Sequence, residues 1–304
     1  MRNAFFKTLE ELAEKDKRIF LVVGDLGYSY VENFRKKFPK QFLNTGVAEQ
    51  NMTGVAAGLA LSGKIVFTYS IGNFPSLRPL EQIRNDICYH NANVKIVSVG
   101  TGVHYGVLGF THQATEDMAI MRDLPNMTII TPSDPLIAGL ATKAIVRHSG
   151  PAYLRLGGRE IIYKNKPIFE IGKAILTQEG KDITIISTGA ILNLALETAM
   201  IFKEKGVSCR VLDMHTAKPI DGGAIIKAAR ETGNIITLEE HNITGGLGSA
   251  VAEVLLDNNI SVKFKRFGLK DEVSHLLGDR KFLLEKSGLS AEEIYKKSLE
   301  LIGR

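Results

Sequence analysis

Glu49 is the acid in this chain best placed to do chemistry. It stands in Gly46-Val47-Ala48-Glu49-Gln50-Asn51, between a short extended segment, Phe42-Leu43-Asn44, and an apolar Ala/Gly-rich helical stretch from about Met52 to Leu61. A carboxyl at such a junction is suited to hydrogen-bond a heterocyclic cofactor rather than simply meet water. The helix dipole alone also favours an acid there, so the position leaves both roles open. Phe74, in Ser70-Ile71-Gly72-Asn73-Phe74-Pro75 directly after a strand-like run, offers the aromatic wall that a flat ring needs. An ordinary core Phe is the alternative. His112 closes a Gly-rich loop, Gly106-Val107-Leu108-Gly109-Phe110-Thr111-His112, set between a strand and a helix. Such loops commonly carry active-site groups, although a solitary loop His is often only solvated.

The elements that must position these residues follow from apolar periodicity. Ile19–Val23, Lys64–Tyr69, Val94–Val99, Met127–Thr131 and Ala152–Leu156 read as strands, with helices near 3–15, 48–61, 78–91, 115–122 and 134–148. In the first helix Phe5, Leu9 and Leu12 share one face. A polar, proline-containing stretch, Tyr163-Lys164-Asn165-Lys166-Pro167, marks a boundary. Beyond it come strands at Asp182–Ser187, Ser208–Leu212, Asn234–Leu238 and Ser261–Phe267, with helices near 190–205, 221–230, 246–258 and 290–302. Short buried strands alternating with helices predict an α/β protein of two domains, 1–162 and 168–304, each a mostly parallel sheet covered by helices.

The Glu49 segment resembles the motif by which thiamine-diphosphate enzymes of the transketolase family present a glutamate to the aminopyrimidine ring. Glu81-Gln82-Ile83-Arg84 is similar to the family's Asp-Gln-Ile-Arg helix, and Thr111-His112-Gln113 to its Gly-Pro-Thr-His-Gln loop. The resemblance implies a pyrimidine-binding domain followed by a transketolase C-terminal domain. It implies that Glu49 and His112 are catalytic, that Glu49, Phe74 and Asp25 border the cofactor, and that His112 contacts the sugar. Asp25-Leu26-Gly27-Tyr28-Ser29 resembles a family turn, and Arg2 precedes Asp25 by the interval of a phosphate-binding Arg. Leu154-Arg155-Leu156-Gly157-Gly158-Arg159 resembles the segment that supplies another. Arg2, Ser29 and Arg159 are thereby expected to bind substrate phosphate, as guanidinium forks match phosphate oxygens.

The chain departs from the family at two substrate positions. Leu108 stands where an acid is usual, and Gly100 where a second His is common. Losing two polar groups changes which sugar hydroxyls a pocket can pair; His104 and Tyr105 are candidates to replace them. Gly72, Pro75 and Arg78 stand where the family often carries rings.

The family's diphosphate-binding domain has no counterpart here. Gly24-Asp25 with Asn51 falls near the magnesium-motif spacing, but Leu26 and Met52 break it. Glu239-Glu240-His241 brings no second metal ligand nearby, so no metal site is expected on this chain. Gly245-Gly246-Leu247-Gly248 lacks the rest of a dinucleotide fingerprint. The expectation is a split enzyme: two-carbon ketol transfer from a ketose phosphate to an aldose, active only with a separate diphosphate-binding subunit that supplies the Mg2+ ligands, in an α2β2 assembly. A related carboligase similar to 1-deoxyxylulose 5-phosphate synthase, a 2-oxo acid dehydrogenase β subunit and a non-catalytic interaction subunit are the alternatives.

Composition bounds the rest. The 304 residues carry a net charge of +5, with Lys and Arg spread along the chain. Runs such as Arg35-Lys36-Lys37 read as solvated faces rather than a nucleic-acid surface, and a mild positive bias suits phosphorylated substrates. No apolar run approaches the roughly 18–20 residues of a membrane span. With no leader sequence evident and Cys88 and Cys209 far apart, the cytoplasm is the expected compartment.

Overall fold

The computed structural model describes residues 1–303; Arg304, the last residue of the expected second domain, lies outside the described residues. Along the first part run strands β1 (Ile19–Val23), β2 (Phe42–Asn44), β3 (Ile65–Ile71), β4 (Val94–Val99), β5 (Thr128–Ile130) and β6 (Ala152–Leu156). Helices α1 (Arg2–Lys15), α2 (Val31–Lys37), α3 (Glu49–Leu61), α4 (Leu80–Gln82), α5 (Asp117–Asp123) and α6 (Pro135–Arg147) connect and cover them. The second part holds β7 (Ile175–Gln178), β8 (Ile183–Thr188), β9 (Cys209–Asp213), β10 (Thr216–Lys218), β11 (Asn234–Asn242) and β12 (Lys263–Leu269). Its helices are α7 (Leu192–Glu204), α8 (Gly222–Thr232), α9 (Leu247–Asp257), α10 (Arg280–Lys286) and α11 (Ala291–Ser298).

The strands form a seven-stranded sheet, ordered β10-β5-β6-β4-β3-β1-β2, and a five-stranded sheet, ordered β12-β11-β8-β9-β7. Pairing is parallel except where β10 meets β5 and β7 meets β9. Every residue of β4 and β6 is buried. That is the reason these strands read as continuous apolar runs and not as alternating ones: helices cover both faces. The two-domain α/β architecture with mostly parallel sheets is as the sequence implies.

Two details depart from it. Thr216–Lys218, late in the chain, reaches back to edge the first sheet. One apolar cluster accordingly joins Met118, Met121 and Ile129 with Met214, Ala217 and Ile225. The helix expected near 78–91 passes from α4 into a π-helical segment, Ile83–Cys88. The elements α2, β7, β10 and α10 carry no strong apolar period. In α2, for example, only Phe34 is fully buried among charged neighbours.

Helix α3 is the element that matters most for the site. Its buried residues are Glu49, Met52, Thr53, Ala56, Ala57 and Ala60, one stripe at helical spacing. The small side chains let α3 lie close on the sheet, and the stripe drives its first residue, an acid, into the protein. Among the described residues no helix is long and apolar enough to cross a membrane.

Candidate active site

The parallel strands β6, β4, β3 and β1 end side by side, and the turns after them, at Gly157, Gly100, Gly72 and Gly24, carry or adjoin the candidate residues. The carboxyl ends of such strands are where open α/β sheets bind ligands.

Glu49 begins α3, with its side chain only 2% exposed. Ser70 Oγ, from buried β3, donates to Glu49 Oε1 at 3.3 Å. Arg78 Nη1 donates to Oε2 at 2.9 Å. The backbone of Gly24 passes the same carboxyl: a Cβ there would lie 3.6 Å from Oε1. Phe74 follows β3, and the Arg78 guanidinium carbon sits 3.9 Å from its ring centroid. The His112 ring meets Phe74 edge-on at 5.2 Å. A cavity of about 480 Å³ opens here, lined by Val47, Ala48, Glu49, Gln50, Asn51 and Arg78.

The loop that brings His112 to Phe74 is two short 3-10 turns, Gly106–Leu108 and Phe110–His112, hinged at Gly109. Gly109 has φ 77°, a left-handed conformation that glycine adopts without strain. His112 Nδ1 lies 3.0 Å from Thr111 Oγ1. The loop ends pair through Gly102 and Ala114, and Val103 N donates to Glu240 Oε1, on β11, at 3.1 Å. The second part of the chain thus holds the His112 loop in place.

Arg2 and Arg159 come together elsewhere. With Tyr30, Gly100, His104 and Gly158 they line a second cavity of about 380 Å³. Arg2 also stacks on Tyr30, its guanidinium carbon 5.0 Å from the ring centroid. His104 Nδ1 is buried there with no hydrogen-bond partner among the described residues, and burial holds its imidazole below its ordinary pKa. Asp25 and Ser29 are not drawn into either group. Asp25 is exposed and bonded to the Asn44 amide at 2.8 Å, and Ser29 is exposed in the turn before α2. Leu108 is 52% exposed.

Sequence reasoning assigned neither Ser70 nor Arg78 to the acid. A serine inside an otherwise apolar strand was the available signal for Ser70. Nothing in the spacing joins Arg78 to Glu49, since their pairing exists only through the fold. Among the described residues no group of three or more His, Cys, Asp or Glu is placed to hold a metal ion.

Chemically, the first group offers a buried carboxyl, an aromatic face beside it and an imidazole across that face. It suits a flat ring presenting polar atoms at its edge, with proton traffic alongside. The second group offers two guanidinium forks, which suit an anion.

Comparison with known proteins agrees with this arrangement. Residues 1–161 match the pyrimidine-binding domain of transketolase, and residues 172–294 match the transketolase C-terminal domain. One of the two subunits of an apulose-4-phosphate transketolase from Phocaeicola vulgatus is 41% identical over 306 residues, covering 99% of this chain and 97% of that protein. A 6-deoxy-6-sulfo-D-fructose transketolase subunit from a Clostridium species is 39% identical over 307 residues, covering 100% and 95%. A solved structure described as a split-gene transketolase, inactive β4 tetramer, superposes with a TM-score of 0.89 at 40% identity, covering 99% of this chain and 98% of that one. The chain belongs to the transketolase family, of which it spans the pyrimidine-binding and C-terminal domains.

Proposed function

We propose that this chain is the C-terminal subunit of a split transketolase. It transfers a two-carbon ketol unit from a ketose phosphate to an aldose, in the cytoplasm, with thiamine diphosphate held jointly with a separate diphosphate-binding subunit. The observation that carries the reading is the buried Glu49 carboxyl, set at a cavity between Phe74 and His112. Arg78 already makes an edge contact to that acid and a face contact to that ring, so the pair fits a flat, edge-donating heterocycle. When bound, thiamine diphosphate supplies an acidic thiazolium carbon able to break and form carbon–carbon bonds.

In this reading Glu49 hydrogen-bonds a nitrogen of the cofactor ring and favours the tautomer able to accept a proton. Phe74 provides the wall of the ring site. His112 holds and relays protons at sugar hydroxyls. Arg2 and Arg159 anchor the substrate phosphate, Ser29 adds a hydroxyl to it, and Asp25 borders the cofactor. The Mg2+ ligands belong to the partner, and an α2β2 assembly closes two sites. The domains divide as 1–162 and 168–304. A two-chain enzyme is supported by the apulose-4-phosphate relative, which is itself a transketolase subunit, and by the inactive β4 state of the structural neighbour.

A second reading is favoured by exposed Leu108 in place of the family acid: a carboligase similar to 1-deoxyxylulose 5-phosphate synthase. Assaying the reconstituted pair with ketose phosphates and with pyruvate separates the two. Glu49→Ala should lower turnover of the pair by about 10³-fold while its circular dichroism stays that of the parent. Near-normal rates in that variant would refute the assignment.

A further inference from the structure

Arg78 is the one member of the first group for which the proposed chemistry has no use. Its guanidinium is flat, cationic and edged with N–H donors. The edge goes to Glu49 Oε2 at 2.9 Å and the face to Phe74 at 3.9 Å. These are the two contacts an aminopyrimidine-like ring would make in the same place, and both occupants cannot have them together.

We propose that Arg78 is an internal plug of the ring-binding half-site: its guanidinium fills the Glu49–Phe74 cradle until a flat, edge-donating heterocycle displaces it. The proposal rests on the reading of Glu49 and Phe74 as that cradle. The geometry divides the pair into a fixed and a movable half. Glu49 is fixed, because it is buried in the first turn of α3 and bonded to Ser70. Arg78 is movable. Its side chain is 46% exposed, and among the described residues it has no polar side-chain partner other than Glu49. An ion pair so open to water is weak and reversible. It nonetheless serves the chain without cofactor, since a buried carboxylate left unpaired is costly. The consequence is a tax on cofactor entry: apparent affinity falls by the fraction of time the cradle is vacant.

The test is a titration of thiamine diphosphate, with Mg2+, into the chain assembled with its diphosphate-binding subunit, followed by calorimetry. Arg78→Ala should tighten the dissociation constant by about tenfold, and Arg78→Lys, which keeps the charge but not the flat fork, by less. Higher salt should narrow the gap between parent and variant, because it screens the pair. Unchanged or weaker binding by Arg78→Ala overturns the plug and makes Arg78 a spectator or a binding residue. Glu49→Gln in the same titration separates the two ideas. If it alters neither affinity nor the near-ultraviolet dichroism of the bound cofactor, the half-site assignment fails. If it alters them while Arg78→Ala does not tighten binding, the plug alone fails.

Discussion

Gly100 and Tyr105 occupy one another's space: a Cβ built on Gly100 would fall inside the Tyr105 ring, 2.7 Å from Cζ. The ring lies where the family commonly has a second substrate histidine, so the bare backbone at 100 and the aromatic at 105 form a matched pair. Gly100 also sits at φ 74°, where a side chain is strained. Gly100→Ala should therefore cost roughly 2–4 kcal/mol, from overpacking together with backbone strain. Adding Tyr105→Ala should recover the steric part, so that the double variant loses less than the two single losses summed. Urea midpoints in a double-mutant cycle measure this, and strict additivity would show that the two positions do not share space.

Asp213 is expected to give the fold a pH dependence. It is fully buried, and Ser133 Oγ and Tyr163 OH both donate to its Oδ2, at 2.6 and 2.8 Å. Burial pushes its carboxyl up from 3.8 to about 7, and nearby Asp134 adds to the rise. Between those values the folded protein binds more proton than the unfolded chain. The contribution of Asp213 to stability is then full below about pH 3.8 and is lost as pH rises through about 7. Asp213→Asn, neutral throughout, should flatten the profile between about pH 5 and 8. Equal slopes for parent and variant in urea titrations across that range would contradict the assignment.

The sequence carried most of what positions the site, for identifiable reasons. β1, β4 and β6 lie where their apolar runs place them, because full burial on both faces leaves no polar residue to blur the ends. The stripe from Glu49 to Ala60 in α3 is legible as a period, as is the glycine hinge ahead of His112. The rest depends on contacts between residues distant in the chain. Arg78 meets Glu49 across 29 positions, and Glu240 meets Val103 across 137. β10 is three residues long, with a lysine among them. Its pairing with β5 comes from the chain's return path and not from any local preference, which is why no strand was expected there.

That longest of these contacts yields the last prediction. Glu240 Oε1 accepts from Val103 N, and its Oε2 accepts from Arg280 Nε at 2.8 Å. Val103 lies next to Gly102, which closes the His112 loop by pairing with Ala114. The acid therefore joins the second sheet to the loop that aims His112 at Phe74. Glu240→Ala strands a buried amide and a largely buried guanidinium, at a cost of about 3 kcal/mol. It should also lower kcat of the reconstituted enzyme by about tenfold or more, because a loop displaced by a fraction of an ångström misplaces its imidazole. Glu240→Gln keeps an acceptor for Val103 and the shape of the side chain, so it should lose stability but retain most of the turnover. If Glu240→Ala is destabilised yet turns over at the parent rate, the loop is held by its own turns and the second sheet only supports the fold. If both variants lose turnover alike, it is the charge on Glu240, and not its bond to Val103, that the loop requires.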